Sequence, residues 1–264
     1  MEQHTQDVTD TAAQRVQPGR TEPVARGFVE YLGGPMGKFA QIGRAKFWTP
    51  LRTIFAVAYT FLFFGALSKS NCALGKADEN GVLQLNWDGN RQYTSFCYND
   101  IVPLYGARGL DQPGFVYDYS WVEDGLTRYM EYPVLAGLFQ GVASFISRNT
   151  YFLVDRVLPE VGWYFYVTVF ILSVIWVATV RMVAELAGNR IWDTLLVVGS
   201  PLLIMHSFTN WDIPSIFFAV AAIYAARNKK FWLAGVMIGL GTAFKMWPLS
   251  LIHISEPTRL RRIS

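Results

Sequence analysis

Five apolar blocks, each nearly free of charge, limit what this chain can fold into: Thr53–Leu67, Gly162–Val180, Leu195–Met205, Ile213–Ala226 and Phe231–Phe244. A soluble chain spreads its apolar residues along one face of each element, whereas here they are gathered into runs. A bilayer core takes about 20 apolar helical residues, down to roughly 17, so four of the blocks reach that length only with their polar flanks. The expected class is an all-α integral membrane protein.

Charge sets the expected topology. Residues 1–25 are polar without an apolar period, and they lack the basic start and short apolar run of a cleaved signal peptide. They read as a disordered cytosolic tail. Lys38, Arg44, Lys46 and Arg52 precede the first block with no acid among them, which places the N-terminus in the cytosol. The first span is then Leu51–Leu67, leading outward. The segment Tyr132–Ile146 is apolar, but a crossing there would put Arg181, Arg190, Arg227, Lys229 and Lys230 outside. Kept on the outer surface as a juxtamembrane helix, it leaves all five in the cytosol. Residues 69–161 become one outer loop holding eleven acids and seven basic residues. Four further spans follow: Gly162–Val180, Ile191–Phe208, Ile213–Ala226 and Phe231–Pro248.

The chemistry-bearing residues gather on that outer side. The stretch 97–133 holds Asp100, Asp111, Asp118, Glu123, Asp124 and Glu131 among tyrosines and turn residues. Both cysteines of the chain, Cys72 and Cys97, lie in the loop, and a pair confined to the oxidising side suggests a disulfide, with two free buried thiols as the alternative. Asp100 opens an apolar, Pro-containing stretch, so it is either a helix N-cap or a general base at the membrane surface. Glu131 is either a catalytic acid or a favourable charge at the start of the juxtamembrane helix. Asn210, Trp211 and Asp212 form the short turn between two spans. Asn and Asp are common there for turn chemistry alone, and substrate contact is the other reading. Lys245 lies near the outer end of the last span, where it can snorkel to water or meet a lipid phosphate. The cysteines lack metal-site spacing, and the histidines offer no ligand cluster.

The last stretch stands apart. Leu249–Arg259, LSLIHISEPTR, resembles the in-frame translation of a transposase-type sequencing adapter. The expectation is a cytosolic and interfacial segment at 1–50, a transmembrane region at 51–248 and a non-native tail at 249–264, with the natural protein continuing past Pro248.

Gly-Leu-Gly-Thr-Ala-Phe-Lys245-Met-Trp-Pro248, Asn210-Trp211-Asp212, Glu131-Tyr132-Pro133-Val134 and Cys97-Tyr98-Asn99-Asp100-x-x-Pro103-Leu104-Tyr105 together resemble glycosyltransferase family 87 over about residues 30–248. The resemblance implies a GT-C-like multi-span helical bundle whose large extracytoplasmic first loop carries juxtamembrane helices. It implies an enzyme of the bacterial plasma membrane, active on the outer face. Such an enzyme moves a sugar, mannose in the family's polyprenol-phosphate-mannose-dependent members, from a polyprenyl-phosphate donor to an envelope lipid or glycan acceptor. Asp100 and Glu131 map to catalysis; Tyr105, Asn210, Asp212 and Lys245 map to substrate binding. The implied partners are membrane lipid, the lipid-linked sugar and the acceptor, with no nucleic acid. No cofactor beyond the donor is implied, and metal use is left open. Many relatives carry two prolines after the tyrosine where this chain has Pro133-Val134. A transporter or flippase would also carry intramembrane charge but needs no acidic outer loop of ninety residues. A non-catalytic envelope-assembly protein on the same scaffold is the third class.

Overall fold

A computed structural model describes residues 47–77, 83–85 and 87–252. The basic run Lys38, Arg44 and Lys46, the N-terminal tail and residues 253–264 lie outside the described residues. Helix α1 (Pro50–Ala73) leads to the hairpin β1 (Gly75–Ala77) and β2 (Leu83–Leu85), then to the short helices α2 (Arg91–Thr94) and α3 (Ile101–Ala107). A second hairpin, β3 (Ser120–Glu123) and β4 (Leu126–Tyr129), precedes α4 (Val134–Thr150) and α5 (Glu160–Ala187). The chain closes with α6 (Thr194–Val198), α7 (Pro201–His206), α8 (Ile213–Arg227) and α9 (Phe231–Phe244).

Helices α1 and α5 are long and apolar enough to cross a membrane. Their 24 and 28 residues give about 36 and 42 Å at 1.5 Å per residue, against a hydrocarbon core of about 30 Å. Both leave large apolar side chains uncovered, among them Phe63, Phe64 and Leu67 on α1 and Phe170 and Val174 on α5. The other three expected spans differ. Helices α8 and α9 have 15 and 14 residues, below the roughly 17 a span requires. Ile191–Phe208 is not one helix: α6 ends at Val198 and α7 begins at Pro201. Proline has no N–H and disfavours helical backbone in the residue before it, so Gly199-Ser200-Pro201 interrupts the run.

The chain divides into two compact units. The described part of one comprises residues 47–60 and 180–200, with Ile54, Ala58, Val180, Ala184, Thr194 and Val198 buried. The other comprises 61–179 and the chain from Pro201 onward, and all the chemistry considered below lies in it.

Within that second unit the expected outer loop is partly β. Asp124-Gly125, at φ 52° and 76°, makes the two-residue turn joining β3 to β4, paired from Glu123↔Leu126 to Ser120↔Tyr129. Asp-Gly is among the strongest hairpin signals, because both turn positions need positive φ. Helix α4 is amphipathic in the inverted sense. Its exposed stripe is Val134, Leu138, Val142, Phe145 and Ile146, while Gln140, Ser144 and Ser147 are buried with Ala136, Gly137 and Ala143. Exposed apolar and buried polar residues suit a helix lying against lipid. Its start is Val134 rather than Tyr132, since Pro133 occupies the N-cap. Cysteine reporters at Ser120 and Asn149, both exposed, will both react with a membrane-impermeant reagent from outside if α4 lies on the surface. Labelling at 120 with protection at 149 would mean that α4 crosses.

Candidate active site

Cys72, in the last turn of α1, and Cys97 are joined as a disulfide with Cα atoms 5.6 Å apart. The indole of Trp87 donates to the Cys72 carbonyl (3.0 Å), and Lys69, only 4% exposed, donates from Nζ to the Tyr98 carbonyl (2.8 Å). The loop is thus tied to the end of α1 just before Asp100. Closing a loop of 25 residues stabilises the ordered state by about 3 kcal/mol on the chain-entropy model. Folded protein taken from membranes should resist alkylation at both cysteines until reduced. Two freely alkylated thiols would remove the tether.

The Asp100 position follows from its neighbours. Asn99 is fully buried and accepts the Val102 N–H on Oδ1 (2.9 Å), so Asn99 caps α3. Asp100 makes no side-chain capping bond. Its carboxylate accepts instead from the Tyr98 hydroxyl (2.8 Å), a bond that, with burial second, holds the Tyr98 phenol up at about 12. Tyr98 therefore remains a donor across neutral pH. The Asp100 N–H donates to the Thr209 carbonyl (2.7 Å), which seats this acid against the turn carrying Asn210, Trp211 and Asp212.

That turn is built by its own side chains. Asn210 Oδ1 accepts the Asp212 N–H (3.1 Å), Trp211 is buried, and the Asp212 carbonyl accepts from Ser215 at the start of α8. Ser215 in turn accepts from the indole of Trp247 (3.0 Å), linking the turn to the chain after α9. Lys245 closes α9 in extended conformation and pairs with Asp212 at 2.5 Å, both side chains about half exposed. An exposed pair of this kind contributes only about 0.2–1 kcal/mol to stability. Its value lies in where it leaves the ammonium.

Glu131 sits before α4, not in its first turn, and is held by Arg108 at 2.7 and 2.9 Å, both to Oε1. Arg108 lies over the ring of Trp121, 4.2 Å from its centroid. The Asp-Gly turn therefore has a consequence at the site: it folds the hairpin that presents Trp121, which places Arg108, which holds Glu131.

Tyr132 joins these parts. Its ring meets Trp211 edge to face at 5.4 Å, and burial, then the charges of Asp100 and Glu131, push its phenol up to about 12. Asp212 and Arg108 also act on it. The charges of Asp100, Glu131 and Asp212 thus all reach one neutral phenol, and Lys245 is paired with Asp212. Among the described residues, Glu131 and Asp212 each have a cation partner and Asp100 has none. No group of three or more His, Cys, Asp or Glu among them is arranged to hold a metal ion.

Tyr105 departs from its expected substrate role. It is 3% exposed, stacks on Tyr164 at 4.5 Å, and spends its hydroxyl on Glu160 at 2.8 Å. Burial first, and then that hydrogen bond, raise its phenol far above the usual tyrosine range. It is packing between α3 and the start of α5. Tyr98, Arg108 and Tyr132 are the members that sequence reasoning missed. Arg108 carried a signal, being the lone basic residue between Arg91 and Arg128 in an acid-rich stretch.

The chain thus combines two helices long and apolar enough to cross a membrane with a cluster of acids and cations at helix ends. Residues 131–255 match the model of glycosyltransferase family 87, so the resemblance drawn from the motifs holds over that range and supports a glycosyltransferase. The matched range includes Glu131, Tyr132, Asn210, Asp212 and Lys245, and it begins after Asp100. No curated protein and no solved structure matches the chain.

Proposed function

We propose that the protein transfers a sugar from a polyprenyl-phosphate carrier to a lipid or glycan acceptor at the outer face of the bacterial plasma membrane. Asp100 is the base. The acceptor hydroxyl attacks the anomeric carbon, its proton passes to Asp100, the bond from that carbon to phosphate oxygen breaks, and polyprenyl phosphate leaves. Such a displacement inverts the anomeric centre. Lys245 meets the phosphate: an ammonium has three donors, Asp212 occupies one, and two are left for oxygens of the leaving group. Arg108 is less suited, since Glu131 and the Trp121 ring already engage it. Mannose is the sugar that the family resemblance favours.

One observation carries this reading: among the described residues, Asp100 alone of the three acids around Tyr132 has no cation partner. A transporter needs no such base. The test is transfer of radiolabelled sugar from synthetic polyprenyl-phosphate mannose into membrane lipid or glycan by the protein in lipid bilayers. Product whose yield depends on the lipid-linked donor is expected. Transfer from a nucleotide sugar alone, or none in folded protein, would overturn the proposal.

A further inference from the structure

A pocket of about 260 Å³ lies between the 109–119 loop and the C-terminal half of α4, and none of the acids around Tyr132 lines it. Its walls are fixed by close approaches. The Ser144 hydroxyl donates to the Leu110 carbonyl, anchoring the loop to the helix. Gly141 lies so near Val116 that an added Cβ would meet a valine methyl at 2.6 Å. Gly109, at φ 64°, lies against the ring of Tyr119 in the same way.

Two charged residues line the pocket. Arg148, in the last turn of α4, has an enclosed Nε that meets no hydrogen-bond partner among the described residues. A cation there complements the helix dipole. Asp118 lines the same space, and among the described residues neither its carboxylate nor the guanidinium forms an ion pair. An enclosed guanidinium N–H without an acceptor is costly, so the arrangement calls for a ligand. A bare anion would satisfy Arg148 and be repelled by Asp118. A ring of neighbouring hydroxyls satisfies both, accepting from one and donating to the other. Phe115 and Tyr119 add aromatic surface, and the volume falls below the roughly 300–1,000 Å³ of pockets for drug-sized ligands, which suits one ring.

We propose that this pocket is a saccharide subsite for a single neutral pyranose, with Arg148 donating to, and Asp118 accepting from, adjacent hydroxyls. It rests on the glycosyltransferase reading in assigning the ring to the acceptor. Saturation-transfer NMR on the full chain in lipid nanodiscs, with methyl pyranosides as probes and inorganic phosphate as competitor, tests it. Saturable pyranoside binding that phosphate does not displace is expected, weakened about tenfold or more in Arg148→Gln and in Asp118→Asn. Phe115→Ala, at an exposed position, should weaken binding without burdening folding, and it keeps the test open if Arg148→Gln does not fold. The subsite is overturned if the folded wild type binds no pyranoside, if these variants bind as the wild type does, or if phosphate displaces the sugar. Transfer by an enzyme that binds no pyranoside here would remove the subsite and leave the assigned reaction standing.

Discussion

Asp100→Asn will lower turnover by about 10²–10⁴-fold, the usual contribution of a general base. The substitution suits the question because it keeps most of what the structure builds. An asparagine oxygen still accepts from Tyr98, the backbone N–H still reaches Thr209, and Asn99 still caps α3, so fold and disulfide should survive. What disappears is the site for the acceptor proton. Donor binding should change little, so the loss should fall on kcat rather than on KM. Tyr98→Phe removes only the hydrogen bond that aims the carboxylate, and it should cost about tenfold. Glu131→Gln is the contrasting variant. It breaks an ion pair with Arg108 rather than removing an unpaired acid, so its effect should be smaller. Near-normal turnover of Asp100→Asn in folded enzyme would move the base to Glu131 or Asp212.

The sequence made some of this legible because the signals were chemical and local. Charge-free runs located α1 and α5. The cysteine pair and the motif around Asn99-Asp100 pointed to the tethered loop. The Asn210–Asp212 turn and Lys245 were singled out on separate grounds, and the structure pairs Asp212 with Lys245. Other features depended on partners distant in sequence. Whether Asp100 or Asn99 caps α3 is decided by burial of Asn99 and by the position of Tyr98, neither visible in composition. Tyr105 resembled a motif residue, yet Glu160, fifty-five positions on, takes its hydroxyl. The Asp124-Gly125 turn was readable, but its acids drew attention as charges and hid the hairpin. The apolar run at Ile191–Phe208 concealed a break because hydropathy does not register the backbone consequence of Gly199 and Pro201.

Lys245→Ala should reduce kcat/KM by about 10²–10³-fold, the cost of deleting one preorganised donor from developing charge. The departing phosphate gains negative charge as its bond to the sugar breaks, so a cation beside it counts more in the transition state than in the ground state. Lys245 can fill that role because its ion pair is half exposed and uses one of three ammonium donors. Lys245→Arg should retain part of the activity, since charge persists while the planar guanidinium, already drawn to Asp212, presents its remaining donors differently. Asp212→Asn separates holding from binding. If Asp212 only orients Lys245, its loss frees the ammonium, and binding of the anionic donor should hold or improve while kcat falls. If Asp212 is itself the proton acceptor, Asp212→Asn should match the loss in Asp100→Asn. Donor affinity and turnover both unchanged in Lys245→Ala would leave the lysine as a snorkelling residue, and a phosphate ligand would have to be sought at Arg108.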